Sequence, residues 1–217
     1  EQDDRRKPLF PKIAKLKIWD LLRLYGDLRV RGEFDWDSRR SDGSYRNDRG
    51  RFRYRLRFGF DFNWSDYVSF GARVRSGNIR DQQSPHQTLG NEFEAGSIGI
   101  DRAYLKGQYK SFWLWVGKNN FPFQKQNEMW WDDDVTPEGL ALGASILVND
   151  KFKIKPTAAY FLLQSLGRGI EFDPAVAAGQ IAFEYNLKSL RISASSGYFN
   201  FKDVPDRNDG THLHRQN

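Results

Sequence analysis

Apolar and polar residues alternate along much of this chain with a period of two. From Leu22 to Trp36 the even positions read Leu22, Leu24, Gly26, Leu28, Val30, Gly32, Phe34 and Trp36, and the odd positions read Arg23, Tyr25, Asp27, Arg29, Arg31, Glu33 and Asp35. All six charges share one parity. From Arg51 to Trp64 the rule repeats: Phe52, Tyr54, Leu56, Phe58, Phe60, Phe62 and Trp64 alternate with Arg51, Arg53, Arg55, Arg57, Gly59, Asp61 and Asn63. Chance sorting of these charges would give such purity about once in 500 trials. A helix, with its period of 3.6, would smear both sets around its axis. The pattern therefore predicts two strands, each with one greasy and one charged face.

The alternation continues with less purity. Val68 to Arg75 gives a third strand and Arg102 to Tyr109 a fourth. Phe112 to Lys118 is a fifth, whose facing stays open because both its faces are apolar. Leu140 to Val148, Phe152 to Leu162, Gln180 to Asn186 and Leu190 to Tyr198 complete a set of nine. Short turns at Ser65-Asp66, Lys110-Ser111, Asn149-Asp150-Lys151 and Lys188-Ser189 alternate with long polar connections over 37–50, 77–97, 119–139 and 164–175. Strict alternation of short and long connections is the signature of an up-and-down outer-membrane barrel, with short periplasmic turns and long outer loops.

Composition narrows the choice. The chain has 217 residues and no cysteine, which excludes a disulfide framework, a thiolate nucleophile and a cysteine metal site. Mean hydropathy is −0.73, and the longest apolar runs, such as Ala158 to Leu163, are far too short for a spanning helix. Barrels escape that test because their strands alternate wet and greasy residues. Aromatics make up 15% of the chain and the formal net charge is +6. A basic, aromatic-rich chain fits either a nucleic-acid binder or a barrel with a basic lumen. A stacking platform wants rings and charges on one face; here they fall on opposite faces, so no nucleic-acid partner is expected.

Energetics favour lipid as the cover for the apolar face. In a soluble protein, nine such strands would need a second sheet or a helix layer over their greasy side. No strand set is left over, and no helix of useful length is visible beyond a short turn around Ile13 to Trp19. A closed barrel needs no protein cover, because the bilayer solvates its exterior. Strands of fourteen or fifteen residues exceed the roughly 9–11 that a tilted spanning strand needs, and Trp36 and Trp64 are placed as interfacial girdle residues. The expected fold is an all-β, transmembrane, antiparallel up-and-down barrel. About nine strands are visible as part of a larger whole: residues 1–21 as a periplasmic tail, 22–201 as strands and loops, and 202–217 as the start of an extracellular loop.

Several motifs resemble the putative-porin family of Gram-negative outer membranes. They are Leu24–Phe34 (LYGDLRVRGEF), Arg51–Phe60 (RFRYRLRFGF), Ser84–Gly90 (SPHQTLG), Asp101–Tyr104 (DRAY), Gly117–Phe123 (GKNNFPF) and Trp131–Gly139 (WDDDVTPEG). The resemblance runs over residues 22 to 150, and beyond 150 it is one of style only. It implies a large bacterial outer-membrane barrel with pore function, whose substrate is usually undefined in that family, and homo-oligomers are common among porins. The expected partners on the residues themselves are outer-membrane lipid and small polar or anionic solutes, with no nucleic acid; no enzymatic activity and no cofactor are expected. Such porins are longer and normally have an even strand number, so further strands are expected beyond the nine.

Two groups of residues are the functional candidates. The charged parity of the first three strands carries Arg23, Arg29, Arg31, Arg51, Arg53, Arg55, Arg57, Arg73 and Arg75 against Asp27, Glu33, Asp35 and Asp61. These are the expected pore-lining residues. Rings of arginine favour anions; the competing reading is a cross-strand lattice of ion pairs that stiffens the wall. The second group is Trp130, Trp131, Asp132, Asp133 and Asp134 in the long connection over 119–139. If folded inward these would set the pore size, and their carboxylates suit Ca²⁺ in principle, though not with EF-hand spacing. The other reading is an outer loop packed on the rim. His86, His212 and His214 read as polar loop residues. No nucleophile elbow, P-loop or zincin motif is present, so the channel reading, with a filled structural barrel as its alternative, stands ahead of catalysis.

Overall fold

A computed structural model describes residues 18–90, 95–127, 129–164 and 174–202. A four-residue helix, α1 (Ile18–Leu21), leads into β1 (Leu22–Asp35), β2 (Arg49–Asn63), β3 (Val68–Ser76) and the two-residue β4 (Gln87–Thr88). Then come β5 (Ile98–Tyr109), β6 (Phe112–Lys118), β7 (Glu138–Ala144), the two-residue β8 (Ile146–Leu147), β9 (Phe152–Leu162), β10 (Ala175–Asn186) and β11 (Arg191–Lys202). All pair antiparallel in one sheet of 11 strands, whose main path runs β1-β2-β3-β5-β6-β7-β9-β10-β11. No helix among the described residues is long and apolar enough to cross a membrane. Along the main path β1 and β11 each have a neighbour on one side only. The described sheet is thus an open stretch of barrel wall, not a closed ring.

The nine strands of the main path are those expected from the alternation; the ninth runs on past Tyr198 to Lys202, expected as the start of a loop, and three others differ more. The sixth is split. β7 and β8 share one register along β9, and the gap between Gly143↔Thr157 and Ile146↔Ile154 falls opposite Lys155 and Pro156. Proline has no N–H to give a ladder, and Ser145 donates instead to the carbonyl of Ser111 at 2.9 Å. The eighth strand starts earlier, at Ala175, so it takes in Ala175, expected in a loop, and Val176 to Gly179, which the alternation left unassigned. The fourth also starts earlier, at Ile98, because a β-bulge hides the period: Arg73 pairs Arg102 but Val74 pairs Ile100. The extra residue is Asp101. Beyond it the apolar parity changes from Ala103 and Leu105 to Ile98 and Ile100. A bulge adds one residue to one strand and re-aims a side chain; here it turns the Asp101 carboxylate inward.

One face of the sheet is greasy from edge to edge. Leu28 is 69% exposed and Phe52 62%, and Phe58, Ile98, Ile100, Phe112, Leu114, Leu142, Ile181 and Ile192 are exposed with them. The strand of undecided facing, β6, points Phe112, Leu114 and Val116 outward and buries Trp115 on the opposite side. An apolar surface this continuous is what a bilayer covers.

The sheet curls around its other face. Trp130 packs its ring on Phe199 of β11 at 5.0 Å, while Asp134, four residues on, meets Arg57 of β2. One loop thus bridges strands seven apart in the sheet order, and this stretch of barrel wall holds it on its concave side.

Candidate functional site

The concave face divides into an arginine strip on β1–β5 and an apolar floor on β6–β11, and two connections fold onto it. The strip is set by the β1–β2 register. Asp27↔Arg57, Glu33↔Arg51, Asp35↔Arg49 and Arg23↔Asp61 place opposite charges face to face, but Arg29↔Arg55 and Arg31↔Arg53 set like charges together. Directly opposed like charges destabilise a ladder, so these arginines must find partners elsewhere.

Four arginines of the strip, Arg53, Arg55, Arg57 and Arg75, pin the infolded loops. The connection between β3 and β4 leaves the wall at Gly77, whose φ of 97° is a left-handed value that favours glycine. Arg53 donates to Ser84 Oγ and to the His86 carbonyl, both at 2.9 Å, and Arg75 donates to the Asp81 carbonyl at 2.5 Å. β4 then rejoins the sheet against Arg53 and Tyr54 of β2. The loop between β6 and β7 delivers Asp134 to Arg57, with Arg55 Nη1 3.7 Å away. Arg55 also pairs with Asp27 at 2.6 Å. At 8% and 9% exposure, Arg55 and Arg57 are shielded from solvent by the loop they hold. Arg73 makes a two-pronged pair with the bulge residue Asp101, which is 3% exposed.

The same loop is fixed to the apolar floor at its other end. Phe121 stacks on Trp131 with ring centroids 4.2 Å apart and contacts Phe161 and Phe199. Phe123 is buried against Phe161 and Phe199. The wall has room for these rings because its inward residues are small: Ala141, Ala159 and Ala178. Gln180 clamps the loop backbone, accepting from the Gln124 N–H at 2.7 Å and donating to the Gln124 carbonyl at 2.8 Å. Lys125 Nζ reaches the Trp131 carbonyl at 2.5 Å and the Asp133 carboxylate at 2.6 Å. Thr136 donates to the carbonyl of Asp101. The feet of the loop are Gly117 and Gly139, Cα partners with φ of 114° and 148°.

The expected pore-lining residues thus share one face, with unequal partnering. Arg53, Arg55, Arg57, Arg73 and Arg75 are largely buried under loops or in pairs. Glu33 is shared by Arg31, Arg51 and Arg53. Asp35 pairs with Arg49 at 2.6 Å, and Asp61 joins Arg23 and Tyr104 at the opposite end of the strip. Arg29 and Arg31 border an open cavity of about 660 Å³, together with Arg51, Ser84, His86 and Asp132 to Asp134. Asp101 and Asp134 add carboxylates from a bulge and a loop, and Arg49 and Arg102 add guanidinium groups to the same face, so the surplus of arginine read from three strands is unchanged. Trp130 is half exposed and Trp131 is packed into the aromatic cluster. Among the described residues no group of three His, Cys, Asp or Glu side chains is arranged to hold a metal ion; Asp133 and Asp134 are engaged by lysine and arginine. His86 is buried, not a solvated loop residue. Burial first, then Arg31, Arg53 and Arg55, push its pKa down to about 4, so it is neutral at physiological pH. His212 and His214 lie outside the described residues.

Gln124, Gln180, Phe121 and Phe123 were not singled out from the sequence. The signal for them is the inward parity of β7, β9 and β10 at the loop end, where Ala141, Ala159, Ala178 and Val176 are small and apolar while that of β2 is charged. A water-facing wall has no use for such a surface, so part of the chain must cover it.

A strongly curved antiparallel meander with a greasy exterior, a charged interior and long connections folded inside defines the wall of a pore-type barrel. The chain belongs to the family described as putative porin, which matches residues 41–217. The match takes in β9 to β11, beyond the region of motif resemblance, and begins after β1. It gives the chain a porin-like role in general terms, that of a channel more than an enzyme, and with it the outer-membrane location general to porins. No curated protein matches the chain at a significant level.

Proposed function

We propose that the protein is a passive diffusion channel of the bacterial outer membrane for small polar solutes, with a preference for anions. The observation that carries this reading is the two-faced wall: apolar side chains cover one side without a break, and the other side gathers arginines around an open, polar cavity. In this reading the short turns face the periplasm, the long connections face outward, and lipid covers the greasy belt. The loop over 119–137 narrows the pore, with Asp132, Asp133 and Asp134 beside the arginines and Trp130 and Trp131 on its apolar side. Anion preference follows from guanidinium groups that stay charged at all physiological pH values.

A second reading is a structural barrel with a filled lumen. Its support is the number of contacts that hold two connections inside the wall. Planar-bilayer recording of the full-length protein separates the two. A diffusion channel gives stepwise conductance and, in a KCl gradient, a reversal potential displaced toward that of chloride. A barrel that inserts but passes no current is the filled structure, and a displacement toward potassium contradicts the anion preference.

A further inference from the structure

The arginines of the strip fall into two sets, and one set is short of negative charge. Arg55, Arg57 and Arg73 have carboxylates of their own, from Asp27, Asp134 and Asp101. Arg31, Arg51 and Arg53 share one carboxylate, that of Glu33. Among the described residues no carboxylate lies within ion-pair distance of Arg29. Three guanidinium groups share one carboxylate and a fourth has none in reach, so positive charge gathers at this corner, although over the whole cavity lining six arginines face Glu33, Asp35, Asp132, Asp133 and Asp134. Arg31 and Arg53 are direct cross-strand partners, which brings their Cβ atoms within about 5.5 Å. The Nε atoms of both are buried with no hydrogen-bond partner, as is Nε2 of the neighbouring His86. All border the same open cavity. Buried N–H donors without acceptors are uncommon and call for a partner; on a cation that partner is an anion.

We propose that Arg29, Arg31 and Arg53 form a binding site for a small multivalent oxyanion, a phosphate or a compact dicarboxylate, within the cavity. This rests on the channel reading and deepens it: solutes of this class are held in transit, so their passage saturates. The fork of a guanidinium matches the paired oxygens of a carboxylate or phosphate, and chloride, with one centre and one charge, cannot use both forks. Arg53 is at the same time held by Ser84 and the His86 carbonyl, so one of the three donors is fixed in place before an anion arrives. Arg29 and Arg31 lie nearer the open side and close on it.

The test measures chloride current through the full-length protein as inorganic phosphate or succinate is added, next to phosphate titration into the detergent-solubilised protein by calorimetry. The expected result is a saturable fall in chloride current and a measurable binding isotherm. In the double variant R29Q/R31Q both weaken about tenfold or more, as expected from the loss of two charge-assisted contacts. Lys188→Gln, in the short turn between β10 and β11, leaves both unchanged. Heat-modifiable mobility of the variants on gels checks that they still assemble. A chloride-selective current that phosphate and succinate do not alter, with no heat on titration, overturns the site and leaves the channel reading standing. A protein without current that still binds phosphate through Arg29 and Arg31 keeps the site and removes the channel. Equal binding by wild type and R29Q/R31Q also overturns the site, by placing the anion elsewhere.

Discussion

The two halves of the wall solve one problem by opposite means. On β1 to β5 the inward face is charged, and the infolded connections are held there by guanidinium groups reaching carbonyl and carboxylate oxygens. On β6 to β11 the inward face is apolar where it meets the loop, and the same loop is held by rings packed with Trp115 and Phe161 over Ala141, Ala159 and Ala178. The outward faces of the two halves are alike: both are apolar and exposed, which suits one lipid phase over both. The inner faces differ because each was matched to the part of the loop it carries: the acid end, Asp132 to Asp134, or the aromatic end, Phe121 to Trp131. Lipid writes a uniform rule on the exterior. The interior is written by local partners, and only where those partners leave arginines unmatched does the lumen gain chemistry of its own.

The contrast can be broken most sharply at Asp101. Replacing it by alanine leaves Arg73 charged, buried and unpaired, a loss of about 3–5 kcal/mol, and should lower the unfolding midpoint in detergent more than any other single change considered for this wall. In the aromatic half, Phe121→Ala removes a ring that touches five others. The expected loss is about 2–3 kcal/mol, with larger and noisier single-channel conductance as the loop loosens. Asp134→Asn keeps the shape of the latch but removes its charge. It should cost about 1–2 kcal/mol and move the reversal potential further toward chloride, since Arg57 is no longer neutralised while Arg55 keeps Asp27. The smallest effect belongs to Arg49→Gln. Its pair with Asp35 is solvent-exposed, so the unfolding midpoint should shift by less than about 1 kcal/mol. A shift at Arg49 as large as at Asp101 would mean that burial does not separate anchoring arginines from surface ones.

The exterior was legible in the sequence because lipid imposes its rule without regard to partners: Phe52, Phe58, Leu105 and Ile181 could be placed from parity alone. Parity failed where the backbone left regular pairing. The bulge at Asp101 exchanged the two parities of β5 and hid Ile98 and Ile100. Pro156 interrupted β7 and β8 from a neighbouring strand, which no local pattern reports. The charged candidates were found on one face, but their partners were not, since Asp134 meets Arg57 across 77 residues of sequence. The like-charged pairs Arg29↔Arg55 and Arg31↔Arg53 depend on register, which alternation does not supply. The aromatic anchor was missed for a simpler reason: Phe121 and Phe123 lie in a connection, where ring residues have no periodicity to betray them.

The central claim is that β2 separates lipid from an enclosed aqueous space. Because the chain contains no cysteine, single cysteines can be placed along residues 52–58 of the full-length protein in lipid vesicles. Each is spin-labelled, and its collisions with oxygen, which partitions into lipid, and with a water-soluble nickel complex are compared. The account predicts an alternation with a period of two: oxygen dominates at 52, 54, 56 and 58, and positions 53, 55 and 57 are shielded from it. Labels at both parities that meet the nickel complex equally, or an alternation in the opposite phase, would contradict it.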